Sequence, residues 1–208
     1  MKLLSSSATP FGRKVHVVAI EKGLIDRIEV VSTSTAPTAP HEGLARANPL
    51  IKVPTLIQDD GRALYDSLVI CDYFDTLCPP PRIIPEAGAK RWEVLTVHAL
   101  ASGICEAAVS TRYEQALRPE ALRWPEWVAS QRKKIDSGLA WLEGNTATLG
   151  NAGGANVDLA QVAVGCALGY LDFRFASHDW RAKRPKLAKW FTAFSKLPSM
   201  KATVPPPS

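Results

Sequence analysis

Hydroxyl side chains cluster near the start of the chain, where a short apolar run gives way to a periodic one. The segment 5–11 reads SSSATPF, and its proline suits the first turn of a helix. A hydroxyl beside a helix start can donate a hydrogen bond to an anion, and the helix dipole favours the same negative charge. This arrangement predicts a site that stabilises a thiolate.

A second group of polar residues lies in the segment 52–67. It contains KVPT, followed by an Asp-Ser pair at a predicted helix start. An extended residue before a proline can present its backbone amide and carbonyl to a peptide-like ligand, and free amides at a helix start bind carboxylates. Together the two segments predict a site that holds and activates a peptide-like thiol.

The energy that such a site must supply is modest. A free thiol has a pKa of about 8.5, and lowering that pKa by two units requires about 2.7 kcal/mol. One hydrogen bond to a charged group contributes roughly 1.5–3 kcal/mol, and a helix terminus adds ~0.3–1 kcal/mol. A single well-placed hydroxyl at a helix start is therefore sufficient.

The first part of the chain alternates strands and helices in the order βαβ, loop, ββα. A βαβ unit has a right-handed crossover, which places its two strands parallel in one sheet. The DDG at 59–61 is a hairpin signal because glycine tolerates positive φ in a tight turn. The predicted elements are strands at 2–6, 27–31, 55–58 and 62–65, helices at 11–21 and 67–77, and a loop at 32–43.

A proline-rich segment separates this part from an all-helical remainder. Three consecutive prolines after Cys78 cannot continue a helix. We therefore predict a thioredoxin-like α/β domain at 1–78, a linker at 79–87 and an all-α domain at 88–208. Asp158 and Gln161 have the spacing of a capping box. The predicted helices are 89–117, 125–143, 159–175 and 186–197, and 204–208 is a loose tail.

Composition excludes several classes of function. The chain has 25 Lys and Arg against 20 Asp and Glu, a net charge of +5, but the basic residues form only short clusters, and no basic stripe for nucleic acid is present. We see no apolar run of the length that a membrane span needs and no signal peptide, so we expect a cytoplasmic protein without a membrane partner. The four cysteines lack metal-like or CxxC spacing, so we expect buried, reduced thiols and no metal.

The order of these motifs resembles the cytosolic glutathione transferases over nearly the whole chain, and most of all bacterial members related to the theta and zeta classes. The resemblance implies a glutathione S-transferase with glutathione as co-substrate, a role in detoxification, and a homodimer formed through the third and fourth helices. It rests on segments 9–15 with 21–23, 48–56, 66–67 and 155–171, together with Trp190 and 197–199.

The resemblance implies a catalytic role for Thr9. Counting back from Gly23, Thr9 matches the serine whose hydroxyl activates glutathione in those classes. Threonine donates as serine does, although its β-branch limits χ1 and adds a methyl group beside the sulfur. A simple helix cap also explains Thr9, and Ser5, Ser6 and Ser7 are rival hydroxyls, with Ser7 the nearest alternative.

The glutathione-binding residues implied by the resemblance lie in the second segment. Val53 and a cis Pro54 would present backbone groups to the ligand, Ser67 would bind the γ-glutamyl carboxylate, and Asp66 would face its ammonium group. Lys52 would approach the glycine carboxylate. The alternatives are a plain loop proline, a simple Asp-Ser helix cap and an exposed lysine.

The second substrate is expected between the first helix and the long helix of the second domain. Apolar residues at this spacing also suit a helix–helix core, and an arginine there can bind an anion or pair with Glu114 or another carboxylate. The predicted second-substrate residues are Phe11, Ile104, Ala108, Arg112 and Tyr113.

Two other functions are alternatives to the transferase. A glutathione-dependent thiol–disulfide reductase or lyase usually needs a cysteine at the first helix, but the first cysteine here is Cys71. A non-catalytic or regulatory glutathione-binding protein of the same fold remains the main alternative, because threonine replaces the commoner serine.

Overall fold

The computed structural model describes residues 1–154 and 156–206 and shows a small mixed sheet followed by a helical half. The sheet has the strand order β2-β1-β3-β4, with β2 parallel to β1 and with β3 and β4 antiparallel to their neighbours. The elements of this half are β1 (Lys2–Ser5), α1 (Pro10–Glu21), β2 (Glu29–Ser32), α2 (Glu42–Ala47), β3 (Thr55–Ile57), β4 (Ala63–Leu64) and α3 (Ser67–Thr76).

The predicted βαβ–ββα order is confirmed, with two local differences. A short 3-10 helix at Ile25–Arg27 occupies the beginning of the predicted strand 27–31. Helix α2 follows the predicted loop 32–43 and was not expected. It has only six residues, too few for a periodic pattern, and it is held by a cap in which His41 Nδ1 accepts from the Leu44 amide and by the complete burial of Leu44.

The second half is helical, as predicted. The Asp158–Gln161 capping box is present, with both bonds at 2.9 Å. The predicted helix 186–197 ends earlier, at Phe194, and a further short helix that was not predicted begins at Pro198, where proline suits a first-turn position. Ala155 and the last two residues of the predicted tail lie outside the described residues. The helices are α4 (Gly88–Ala116), α5 (Pro125–Gly144), α6 (Leu159–Arg174), α7 (Pro185–Phe194) and α8 (Pro198–Ala202).

The expectation that no segment reaches the length of a membrane span needs correction. Helix α4 contains an 18-residue window that is apolar and long enough by composition alone, and half of that window is buried. Core helices commonly pass this test, and α4 packs along both α5 and α6. These two contacts account for the buried part of its apolar surface.

The two halves are joined through α1. Arg13 is buried, and its guanidinium donates to the Met200 carbonyl at 3.0 Å and to the Thr203 hydroxyl at 3.3 Å. Lys22 forms a buried ion pair with Asp75 at 2.9 Å, and the Asp75 carboxylate also accepts from the Ile83 amide. These bonds join α1 to the linker and to the end of the helical half. The start of α1 also lines a small cleft with α4 and α6.

Candidate functional site

The two predicted site segments supply residues at three places in the chain, after β1, before β3 and after β4, and these three short segments meet at one end of the sheet. Because β3 is antiparallel to β1, with Leu4 opposite Thr55, the end of β1 lies beside the start of β3. Strand β4 is antiparallel to β3, so its end returns to the same place. Thr9 follows β1, Pro54 precedes β3 and Asp66 follows β4. The topology therefore brings the predicted residues together from distant parts of the chain.

Thr9 occupies the N-cap position of α1, but its side chain does not cap the helix. The Thr9 carbonyl accepts from the Arg13 amide at 3.0 Å, whereas its hydroxyl makes no capping hydrogen bond. Pro10 has no amide proton, and the amides of Phe11 and Gly12 have no acceptor in the described part of the chain. A half-buried hydroxyl and two free amides thus share one helix start, which is a suitable environment for an anion.

The three rival serines are distinguished by their surroundings. Ser5 is 2% exposed, and its hydroxyl is buried without a partner among the described residues. The Ser6 hydroxyl accepts from the Ala8 amide at 3.3 Å within the turn that leads to α1. Ser7 is exposed. Burial therefore removes Ser5 as an alternative to Thr9, and Ser7 is the most accessible of the other hydroxyls.

Gly12 explains how the turn packs so closely on the helix. A methyl group at this position would overlap the Ser5 hydroxyl and would lie 2.6 Å from the Thr9 methyl carbon. The Thr9 methyl group therefore faces α1, which leaves its hydroxyl as the group that can point elsewhere. The β-branch of Thr9 thus has a packing role that the sequence did not reveal.

The Val53–Pro54 peptide bond is cis, as predicted. The amide and carbonyl of Val53 are not used by the sheet or by any other hydrogen bond of the described chain. The buried Asn48 supports the turn, because its side chain donates to the Lys52 carbonyl at 3.1 Å and to the Thr55 hydroxyl at 3.0 Å. Sequence reasoning assigned no role to Asn48, although asparagine before proline is a common turn signal.

Asp66 and Ser67 begin α3 in the predicted way. The Asp66 carboxylate accepts from the Leu68 amide at 3.0 Å and stays exposed. Ser67 is buried, and its hydroxyl makes no hydrogen bond within the described chain. Lys52 is exposed. The cap explains Asp66, but it leaves the Ser67 hydroxyl free to bind a ligand.

A buried pair that the sequence did not predict lies behind the helix start. Lys14 is 3% exposed, and its Nζ lies 2.7 Å from Nε2 of His98 on α4. Burial and the Lys14 charge lower the pKa of His98 to about 3, so its ring is neutral at physiological pH. Lys14 is thus a buried cation whose described polar partner is uncharged. It lines a small recess with Phe11, Ser102, Cys105 and Cys166.

All four cysteines are free thiols, and burial makes three of them unreactive. Burial raises the pKa of Cys71 and Cys105 to about 12 and that of Cys166 to about 11, so these three remain protonated at neutral pH. Cys78 is only partly buried, contrary to the expectation for all four. Within 1–154 and 156–206, no three His, Cys, Asp or Glu side chains converge as metal ligands would.

The residues predicted for the second substrate divide into two groups. Phe11 lines the recess, and Arg112 and Tyr113 lie exposed beyond it on α4. Ile104 instead packs where Gly138 allows α5 to approach α4, and Ala108 is completely buried. The face of α4 that meets the recess carries Ser102 and Cys105. Glu114 pairs with Arg118 at 2.7 Å and not with Arg112.

Comparison with known proteins supports this assignment of the fold. The models of the glutathione S-transferase N-terminal and C-terminal domains match residues 8–77 and 125–193. The uncharacterized GST-like protein YibF of Escherichia coli is 34% identical over 206 residues, which cover 99% of each chain.

Two crystal structures of a glutathione transferase family member from Pseudomonas fluorescens Pf-5 are 42% identical in sequence to this chain. One contains glutathione, has a TM-score of 0.94 and covers 99% of this chain and 98% of the other. The second contains S-(propanoic acid)-glutathione and has a TM-score of 0.90, with 99% of each chain covered. With both domain models matched and relatives aligned over almost their full length, the chain belongs to the glutathione S-transferase family.

Proposed function

We propose that this protein is a glutathione transferase in which the Thr9 hydroxyl activates the thiol of bound glutathione. The observation that carries the proposal is the unused Thr9 hydroxyl at a helix start that also has two free amides. Both kinds of donor favour the thiolate over the thiol. The theta/zeta-like assignment, a cytoplasmic location and a role in detoxification belong to the same proposal.

Glutathione would lie across the three segments at the end of the sheet. Its cysteinyl unit pairs with the free amide and carbonyl of Val53 next to Pro54, as a short added strand. The Ser67 hydroxyl and the start of α3 bind the γ-glutamyl carboxylate, and the exposed Asp66 carboxylate faces the ammonium group. The exposed Lys52 directly precedes Val53, and it is the cation that would bind the glycine carboxylate.

The chemical step needs no oxidant, reductant or metal. The thiol proton passes to solvent water before attack, and the thiolate electron pair forms the new carbon–sulfur bond. In a substitution, the leaving group departs with the electrons of the bond that breaks. The buried charge of Lys14 adds to the positive field at the recess, where negative charge develops. The relative with bound S-(propanoic acid)-glutathione supports a site that accommodates a substituent on sulfur.

A homodimer is also part of the proposal. Three apolar side chains at α3 and α4 are exposed in the single chain: Tyr65 at 36%, Val69 at 44% and Trp92 at 66%. Exposed large apolar groups at a family interface position support association. Light scattering should give the mass of two chains, and Trp92→Glu should give the mass of one. A monomeric wild-type protein would contradict the dimer without affecting the proposed activity.

The activity is tested by measuring binding and thiol ionisation separately. Calorimetry should show binding of glutathione and of S-methylglutathione, and the ultraviolet absorbance of the thiolate should show a lowered thiol pKa for bound glutathione only. Conjugation should then be measured with aryl halides, alkyl halides and unsaturated carbonyl compounds. Absence of glutathione binding would overturn the proposal. Binding with an unchanged thiol pKa and no conjugation would identify a non-catalytic glutathione-binding protein instead.

A further inference from the structure

The wall of the cleft opposite glutathione carries cationic and hydroxyl groups from two packed helices. Cys105 on α4 and Cys166 on α6 line the recess. Two turns further along the same helices are Arg112 and Arg174, with Tyr170 one turn before Arg174. Because residues four apart share a helix face, 166, 170 and 174 form one row that leads outward from the recess.

Tyr170 supplies a hydrogen-bond donor that the protein does not use. The residue is 6% exposed, and its hydroxyl makes no hydrogen bond to any described residue. Burial raises the pKa of Tyr170 to about 12, so the hydroxyl keeps its proton. The charged or ionisable groups close enough to influence it are Arg174, Cys105, Tyr113 and Arg112, and none of them is a carboxylate.

Within the described residues Arg112 and Arg174 have no acidic partner, although carboxylates of the same two helices pair with other arginines that lie beyond the helix ends. Arg118 pairs with Glu114 at 2.7 Å, and Arg181 pairs with Asp172 at 2.5 Å. In contrast, neither Arg112 nor Arg174 forms an ion pair within the described residues; the Arg174 guanidinium stacks over Phe173 at 3.9 Å, which leaves its edge free to donate. The carboxylates nearest to them in sequence, Glu114 and Asp172, are therefore already paired.

The floor of the cleft has the same sign of charge. Lys14 is almost completely buried beside a neutral His98, so its positive charge is not cancelled by that partner. The carboxylates close enough to influence the pKa of His98 and of Cys105 are Asp66, which faces the proposed glutathione site, and the exposed Glu106 next to Cys105. Asp66 is matched by the ammonium group of glutathione in the proposed complex. Lys14, Arg112 and Arg174 then face one carboxylate, Glu106, and the proposed thiolate, so these groups together carry an excess of positive charge.

We infer that the second substrate carries a carboxylate, which Arg112 and Arg174 bind as charged partners while Tyr170 donates a hydrogen bond to it. This inference rests on the proposed glutathione site. Planar guanidinium groups suit a carboxylate because they donate through two parallel N–H groups, and charge-assisted bonds are the stronger kind. The reacting carbon of such an electrophile would lie toward the recess, next to the sulfur.

Two glutathione derivatives that differ in one group provide the test. S-(4-carboxybenzyl)glutathione and S-(4-carbamoylbenzyl)glutathione have nearly the same shape, but only the first is anionic on its benzyl group. Calorimetry on the wild-type protein should show that the carboxy compound binds roughly tenfold more tightly. This measurement does not require turnover, so it separates the inference from the proposed activity.

Substitutions then identify the residues that produce the preference for the carboxy compound. The double variant Arg112→Gln/Arg174→Gln should abolish it without changing affinity for the carbamoyl compound, and Tyr170→Phe should reduce it by about threefold. Arg132→Gln removes an exposed arginine of α5 and should leave the preference unchanged. In the wild-type protein, 0.5 M salt should at least halve the preference because it screens charges near the surface.

Equal affinity of the two compounds for the wild-type protein would overturn the inference while leaving glutathione binding intact. A preference that survives both the double variant and high salt would also overturn it. Failure of the protein to bind either compound or glutathione would instead remove the proposed glutathione site, and the inference with it.

Discussion

The two walls of the cleft differ in which parts of the chain they offer to a ligand. The wall at the sheet offers backbone groups and short side chains, such as Thr9 and Ser67, at the ends of strands and helices. The opposite wall offers long side chains, such as Arg112 and Arg174, from the ends of two helices. The hydrogen bonds between β-strands hold the first wall in place, whereas the rotamers of flexible side chains determine the shape of the second wall.

This difference has a consequence for specificity. A change on the helical wall alters single side chains and leaves the backbone that holds glutathione unaffected. A change on the sheet wall disturbs several contacts, because Gly12, Ser5 and Thr9 pack against one another. One half of the site is thus suited to a constant ligand and the other to a variable one. The four predictions below test this contrast, beginning with the largest expected effect.

Thr9→Ala tests whether a single hydroxyl of the sheet wall controls the reaction. Loss of the donor should raise the pKa of the bound thiol by about two units and lower the conjugation rate near pH 6.5 by about 100-fold. The deficit should shrink as pH rises, because the thiol then ionises without help. Thr9→Ser should retain activity, and Ser7→Ala should change nothing. Loss of activity in Ser7→Ala with full activity in Thr9→Ala would reassign the role to Ser7.

His98→Gln tests the buried contact between Lys14 on α1 and His98 on α4, which lies between the two walls. The pKa of His98 is about 3 in the folded protein and about 6.5 when unfolded. Below pH 6.5 the unfolded state therefore binds one more proton, so stability should decrease as pH falls, by about 2 kcal/mol between pH 6.5 and 5. Glutamine keeps an acceptor for Lys14 but does not titrate.

Urea unfolding at several pH values provides the measurement for His98. The difference between the wild-type protein and His98→Gln should be constant from pH 7 to 8 and should change by about 2 kcal/mol by pH 5. Parallel stability profiles of the two proteins over the whole range would show that His98 does not carry this dependence.

Ser67→Ala tests whether Ser67, on the sheet wall, contributes to glutathione binding and not to the chemical step. Removing its unused hydroxyl should weaken glutathione binding by roughly tenfold, because a charge-assisted hydrogen bond is lost, and should leave the rate at saturating glutathione unchanged. Calorimetry and initial-rate kinetics measure the two quantities. Ser137→Ala, on an exposed position of α5, is the control. A lower saturated rate with unchanged affinity would contradict this assignment.

Gly12→Ala tests the close packing of the sheet wall and has the smallest expected effect. Alanine favours a helix by up to about 1 kcal/mol, but overlap with Ser5 and Thr9 costs about 1–3 kcal/mol. The net loss of stability should be about 1 kcal/mol, smaller in a Thr9→Ser background that lacks the methyl group. Gly103→Ala on α4 meets nothing within 4 Å and should be stabilising. Equal effects at the two glycines would show that Gly12 is not crowded.

Most elements could be predicted because their signals are local. Apolar periodicity, the prolines and the Asp158–Gln161 spacing act within a few residues, and each appears where it was expected. Helix α2 was missed because six residues carry too little periodicity, and its stability comes from burial of Leu44 in the tertiary structure. The face of α4 was misassigned for a related reason. Helix α4 presents apolar residues to both α5 and α6. Apolar spacing alone therefore does not show that Ile104 packs against α5 whereas Cys105 lines the recess.

Residue types and short-range spacing are enough to predict the order of the elements, the lack of an early cysteine and the chain segments that meet at the sheet. The free hydroxyls, the burial of Lys14 beside His98 and the lack of acidic partners for Arg112 and Arg174 among the described residues become visible in the folded chain alone. Those facts depend on contacts between residues far apart in the chain, and such contacts are set by packing rather than by local pattern.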